Sequence, residues 1–122
     1  VEDFGIGFYT KYGDGGVDIS PIADLMKSEV FKLSSELGIN KEILNAKPTD
    51  GLWDDDRSDE DQIGANYYDI EKVMKKIDNG ETPENFDKEL KKVFDIYSRH
   101  HNTNKHKMAD IPICFIPENL KL

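Results

Sequence analysis

The apolar positions along the chain recur at helical rather than alternating spacing. Ile22, Leu25, Met26, Val30, Phe31 and Leu33 build one broad apolar face. Ser20 is a suitable N-cap, Pro21 suits a first helical position, and Gly38 stands where such a helix stops, so the pattern predicts a helix over 21–37. Asn40 is placed to cap one more short turn through Ile43 and Leu44. Pro48, Gly51 and the mutually repelling Asp54, Asp55 and Asp56 predict a loop over 46–58. Ser58 with Asp61 has the form of a capping box, opening a turn through Ile63 that ends near Gly64. Ile70, Val73, Met74 and Ile77 predict a helix over 67–78, closed by Asn79-Gly80. Thr82-Pro83 opens another by the cap-and-proline rule, with Phe86, Leu90, Val93, Phe94 and Tyr97 on one stripe. Ile6–Tyr9 reads as a strand or a helix end feeding a loop. Prolines at 112 and 117 keep the tail extended or looped.

Composition narrows what this helical chain does. The 122 residues carry a formal net charge of -9, which argues against broad nucleic-acid binding, since a phosphate backbone needs a basic surface. A small anionic ligand needs only a few local cations and is not excluded. The hydrophobic fraction is 37%, and no apolar run approaches the ~20 residues that span a bilayer. A single cysteine, Cys114, forms no internal disulfide and suits a reducing compartment, so a cytoplasmic protein is expected. Cys114 itself reads as a packing residue, because the sequence sets no His or Asp partner beside it. The chain opens on Val1 and shows no signal peptide, so it is expected to be processed or to begin partway through a longer protein.

The stretch with chemistry is Lys11-Tyr12-Gly13-Asp14-Gly15-Gly16-Val17-Asp18, followed by Lys27. Five glycines fall in the first 20 residues, at 5, 7, 13, 15 and 16, which implies left-handed backbone or close approach. Gly13, Gly15 and Gly16 could aim backbone N–H groups at an anion, beside the positive end of the helix expected from Pro21. Lys11 and Lys27 suit phosphate oxygens; Asp14 and Asp18 suit ribose hydroxyls, a metal or the lysines. The plain alternative is a tight turn with Lys and Asp on a wet surface. Neither a Walker loop nor a G-x-G-x-x-G fingerprint is present. His100 and His101 read as surface residues. The acidic run from Asp54 to Asp61 reads as a cation site or a solvated loop, and Trp53 within it as a cover for a site or a core residue.

The run GFYTKYGDGGVDISPIADLMK resembles the NAD synthetase pattern G-[FY]-[FY]-T-K-Y-G-D-G-G-x-D-[IL]-x-P-[IL]-x-x-L-x-K. A second block, KPTDGLWDDDRSDEDQIGANYYDIEKVM, is similar to that family's K-x-P-[ST]-A-x-L-x…D-E-x-x-L-G-x-x-Y-x-x-I-D. His106-Lys107 stands where the family has H-K-R, with Met108 in place of the arginine. Asp50 and Gly51 also depart from the usual residues. The resemblance spans nearly the whole chain. It implies the C-terminal part of one NAD synthetase domain: an α/β, Rossmann-like ATP-pyrophosphatase fold in the parent protein, of which this portion is mainly α-helical.

What the resemblance implies for function is specific. Such enzymes are ATP-dependent ligases that amidate deamido-NAD through an acyl-adenylate, releasing AMP and pyrophosphate. By position, Lys27 and Thr49 match ATP or pyrophosphate contacts. Lys11, Asp18, His106 and Lys107 match deamido-NAD contacts, and Asp14, like Lys27, belongs to the catalytic apparatus. The family's Mg²⁺-binding glutamate falls on Asp3, with Glu2 as the alternative. Residues 45–66 match a mobile segment that closes over the site. ATP is the co-substrate, ammonia the favoured nitrogen source, and a homodimer the expected assembly. The family's S-G-G-x-D-S loop does not occur in these residues, so the 122 residues alone are expected to be inactive. The simpler readings are a solvated Lys27, a turn starting at Thr49 and a polar helix end at His106-Lys107. For the whole chain the alternative is a non-catalytic acidic helical module that binds another protein.

Overall fold

A computed structural model describes residues 1–49, 51, 52, 54, 55 and 57–121. Trp53, Asp50 and Asp56, singled out above, lie outside the described residues. Among the described residues six α-helices follow in order: α1 (Glu2–Ile6), α2 (Lys27–Glu36), α3 (Lys41–Leu44), α4 (Asp59–Ile63), α5 (Tyr67–Asp78) and α6 (Lys88–Met108). Single 3-10 turns stand at Pro83–Asn85 and Glu118–Leu120. The described residues contain no strand, so Ile6 is a helix end. Among the described residues no helix is long and apolar enough to cross a membrane.

The core sits where α1, α5 and α6 meet. Ile6, Ile63, Tyr67, Ile70 and Met74 are buried together, with Phe8, Met26, Val93, Ile96 and Tyr97 packed against them. Each fully buried isoleucine is worth roughly 2 kcal/mol relative to exposure. α5 buries the 3.6-period face that its sequence predicts and shows Lys72 and Lys75 outward. Local capping explains the boundaries. The Ser58 hydroxyl accepts from the Asp61 N–H while the Asp61 carboxylate accepts from the Ser58 N–H, at 3.1 and 2.9 Å. Asn40 caps α3 by accepting from Glu42.

Two helix starts differ from expectation. α2 begins at Lys27, not Pro21. Residues 20–25 form successive turns instead, Ala23 N–H to Ser20 and Leu25 N–H to Ile22. Two carboxylates fix the later start. Glu29 accepts from the Met26 N–H, and Glu2, from a distant helix, accepts from the Lys27 N–H. Likewise Thr82-Pro83 yields only a 3-10 turn. Phe86 then runs extended into the core, edge-on to Phe94 at 5.8 Å, and Asp87 caps a fresh helix by accepting from the Leu90 N–H.

α6 stitches the two ends of the chain together. A short helix leaves its last carbonyls without intrahelical partners. Here α6 satisfies those of α1 and beyond: His101 donates to Gly5, Asn104 to Ile6, and Lys107 to Gly7 and Tyr9. His100 likewise donates to the carbonyl of Ile63. Both histidines are therefore half-buried structural donors rather than surface residues, because a carbonyl only accepts. Cys114 is exposed rather than a packing residue, as are its neighbours in the tail.

Candidate functional site

Between α1, the glycine loop, the α2 start and the C-terminal end of α6 lies a cleft of about 980 Å³. A cavity of this size suits a nucleotide-sized ligand. Its walls bring together Glu2, Asp3, Lys11, Asp14, Lys27 and Lys107, from widely separated parts of the chain. Asp18, Thr49 and His106 do not line it. Thr49 is exposed, and its hydroxyl accepts from the Gly51 N–H at 3.0 Å. Asp18 and His106 are also exposed.

The three lysines differ in how they are engaged. Lys11 donates to the carbonyls of His106 and Ala109 at 2.6 and 2.8 Å, closing the C-terminal end of α6 as a cation should. Lys107 donates to Gly7 and Tyr9 at 2.8 and 2.9 Å. An ammonium has three donors, so each keeps one. Lys27 makes no hydrogen bond through its ammonium among the described residues. That group rests over the Tyr67 ring, 4.6 Å from the centroid, with all three donors available. It stands half-buried at the first position of α2, not on an exposed helix flank.

The glycine loop does not aim its backbone outward. The N–H groups of Gly13 and Gly15 donate to Thr10, and that of Gly16 to Gly13. Asp14 closes the same turn by accepting from the Thr10 N–H at 2.9 Å. Glycine is needed at 15 and 16 for close approach: a Cβ there would meet the carbonyl oxygens of Lys11 and Tyr12 at 2.5 Å. The helix end is likewise taken, since Glu2 holds the Lys27 N–H. Anion contacts in this cleft therefore fall to lysine side chains rather than to a backbone nest.

The carboxylates are also distinct. Glu2 is 2% exposed, and its two oxygens lie 2.9 and 3.0 Å from the Lys27 nitrogen. Asp3 accepts from the Tyr67 hydroxyl through Oδ1 at 2.6 Å, and its Oδ2 makes no hydrogen bond among the described residues. Burial pushes the Tyr67 phenol far above its usual range, and the hydrogen bond to Asp3 adds to the shift, so the hydroxyl stays a donor. No group of three or more metal-ligating side chains occurs among the described residues. Mg²⁺ does not require one, because it commonly takes one or two carboxylates plus phosphates and water. Asp3 fits that pattern; Glu2 is buried and turned to the Lys27 N–H. Tyr67 is not among the residues that the sequence reading singles out, although it is the tyrosine of the second block.

A helical unit that gathers lysines and carboxylates around a nucleotide-sized cleft has side chains suited to a phosphate-bearing ligand. Comparison with known proteins makes the assignment particular. The family model described as NAD synthase matches residues 2–110, and the chain belongs to that family. It is 36% identical over 115 residues to the NH(3)-dependent NAD(+) synthetase of Archaeoglobus fulgidus, which covers 94% of this chain and 44% of the relative. The enzyme of the same name from Thermoplasma volcanium is 42% identical over 95 residues, or 77% of this chain and 38% of the relative. Among solved structures, the NMN synthetase from Francisella tularensis superposes with a TM-score of 0.71 at 30% identity, covering 96% of this chain and 43% of that one. The chain thus spans less than half the length of the relatives it matches.

Proposed function

We propose that these residues act as the C-terminal part of an ammonia-dependent NAD synthetase, within a Rossmann-like α/β ATP-pyrophosphatase fold and as a homodimer. The observation that carries this reading is the meeting of Lys11, Lys27, Lys107, Asp3 and Asp14 on one cleft. In the reaction, the nicotinate carboxylate of deamido-NAD attacks the α-phosphorus of ATP and pyrophosphate leaves. Ammonia then attacks the acyl carbon and AMP leaves, giving NAD. The first step brings a carboxylate toward a polyanion, so its rate depends on placed positive charge.

Lys27, with three unspent donors on a fixed helix start, takes the ATP phosphates; Thr49, which the family pattern pairs with it, stands outside the cleft. Lys11 and Lys107 each offer a remaining donor to deamido-NAD, while Asp18 and His106 match its contacts by sequence position and do not line the cleft. Asp14 keeps the lysine loop in shape. Asp3 holds Mg²⁺, which when bound adds positive charge to the phosphates. A second reading has an observation of its own in the likeness to an NMN synthetase: the acid amidated would be the mononucleotide, not the dinucleotide.

The test measures NAD formation from deamido-NAD, ATP-Mg and ammonia, on the full polypeptide that the gene encodes and on the 122 residues alone. Turnover is expected only from the former, and Lys27→Met should lower kcat/KM for ATP about 100-fold. Robust turnover by the 122 residues, or an unaffected Lys27→Met, would sink the reading. Supplying nicotinate mononucleotide in place of deamido-NAD decides between the two acids by the ratio of kcat/KM.

A further inference from the structure

Three side-chain ties form a closed circuit under the cleft. Glu2 of α1 holds the backbone N–H of Lys27. Its neighbour Asp3 accepts from the Tyr67 hydroxyl at 2.6 Å. The face of the Tyr67 ring carries the Lys27 ammonium at 4.6 Å. Tyr67 is 5% exposed and opens α5, where its own N–H donates to Glu60 of α4 at 2.9 Å. One turn on, Glu71 accepts from the Ser28 hydroxyl at 2.9 Å, so α2 and α5 are locked in register beside the ring. Tyr67 is thus one rigid side chain touching both the Asp3 carboxylate and the Lys27 ammonium.

We propose that Tyr67 is a positioning residue for this site: its hydroxyl orients Asp3 as a ligand for a divalent cation, and its ring face sets where Lys27 meets phosphate. The inference rests on the function proposed above and goes beyond it by assigning the part that spaces cation from ammonium. The hydroxyl engages Oδ1 and leaves Oδ2 for a cation, as the outer partners of metal-binding carboxylates do. The ring keeps a long, flexible lysine over one spot and holds it there without consuming a donor. Two functions on one residue predict separable effects. Removing only the hydroxyl should loosen the metal ligand and leave the lysine seated. Removing the ring as well should release both.

The test uses the full polypeptide that the gene encodes. Mn²⁺ is the metal probe, titrated by electron paramagnetic resonance in the presence of α,β-methylene-ATP, whose α–β linkage is not cleaved. Binding of the metal-free analogue and the thermal midpoint are measured alongside. Tyr67→Phe is expected to raise the Kd for Mn²⁺ roughly 10-fold, with metal-free analogue binding unchanged. Tyr67→Leu should weaken both. Asp3→Asn should weaken Mn²⁺ alone, and adding Tyr67→Phe to it should cost nothing further. A residue that only filled the core would lower the thermal midpoint without moving the metal selectively. Unchanged Mn²⁺ affinity in Tyr67→Phe, or in Asp3→Asn if the Phe variant does not fold, overturns the inference while leaving the proposed function standing. Failure of the unsubstituted protein to bind the analogue and Mn²⁺ overturns both, and it is read before any variant is made.

Discussion

Gly7 joins α1 to the lysine loop in a left-handed conformation, φ 67° and ψ 30°, with Asn104 packed where a side chain would begin. An alanine here meets two obstacles, the backbone strain of a left-handed L-residue and a collision with the Asn104 Cβ. Gly7→Ala should therefore cost about 2–4 kcal/mol, read as a lowered urea midpoint at unchanged slope. An unchanged midpoint would mean that α6 moves aside freely, against the tie from Asn104 to Ile6. At this scale the sequence showed which residues bear charge but not what they bear it on. Lys11 and Lys107 stood out as cations; that each holds a pair of carbonyls far along the chain depends on folding. The glycines announced tightness, and in the loop that tightness serves close packing onto Lys11 and Tyr12.

α2 and α5 meet through Glu71, a buried carboxylate that accepts from Ser28 and from Lys75, at 2.9 and 2.5 Å. Burial raises its pKa, but the hydrogen bonds from Lys75 and Ser28 outweigh this and leave it below the ordinary value. A carboxylate depressed on folding contributes stability above its unfolded pKa, about 4.3, and that contribution fades as pH falls through the lower folded value. Glu71→Gln should cost about 1 kcal/mol at neutral pH, the exposed Lys75 limb adding little, and should flatten the acid side of the stability profile. Parallel loss of stability in both proteins below that pH would contradict it. Helix boundaries were legible where the cap is local: Ser58 with Asp61, and Asn40, are read directly from neighbouring residues. They were not legible where the deciding group is distant. Ser20-Pro21 is a sound local start, yet Glu2 reaches Lys27 from 25 residues away and sets the start there. Thr82-Pro83 yielded to Asp87 because Phe86 had to turn into the core.

The chain as a whole leaves much apolar surface uncovered. Ile22, Phe31, Leu33 and Leu37 around α2, and Ile111, Ile113, Phe115 and Ile116 in the tail, are all exposed. Apolar surface on this scale ordinarily meets a partner. In keeping with the proposed homodimer, light scattering on the full polypeptide should give twice the monomer mass, and a clean monomer across concentrations would count against it. The helical character was legible in the spacing of apolar residues. The cleft was not, because its walls come from residues 1–30 and 107–111, which folding alone brings together.

That joining has a bearing on how the protein is made. The carbonyls at the end of α1 wait for His101, Asn104 and Lys107, which are translated about a hundred residues later. At roughly 5–20 residues per second, the ribosome delivers those donors some 5–20 s after α1. Until then Lys11 lacks its anchors, the carbonyls of His106 and Ala109. The binding surface is therefore assembled last, as synthesis of this stretch ends, and a nascent chain stalled before residue 100 would carry the lysine loop without the cleft.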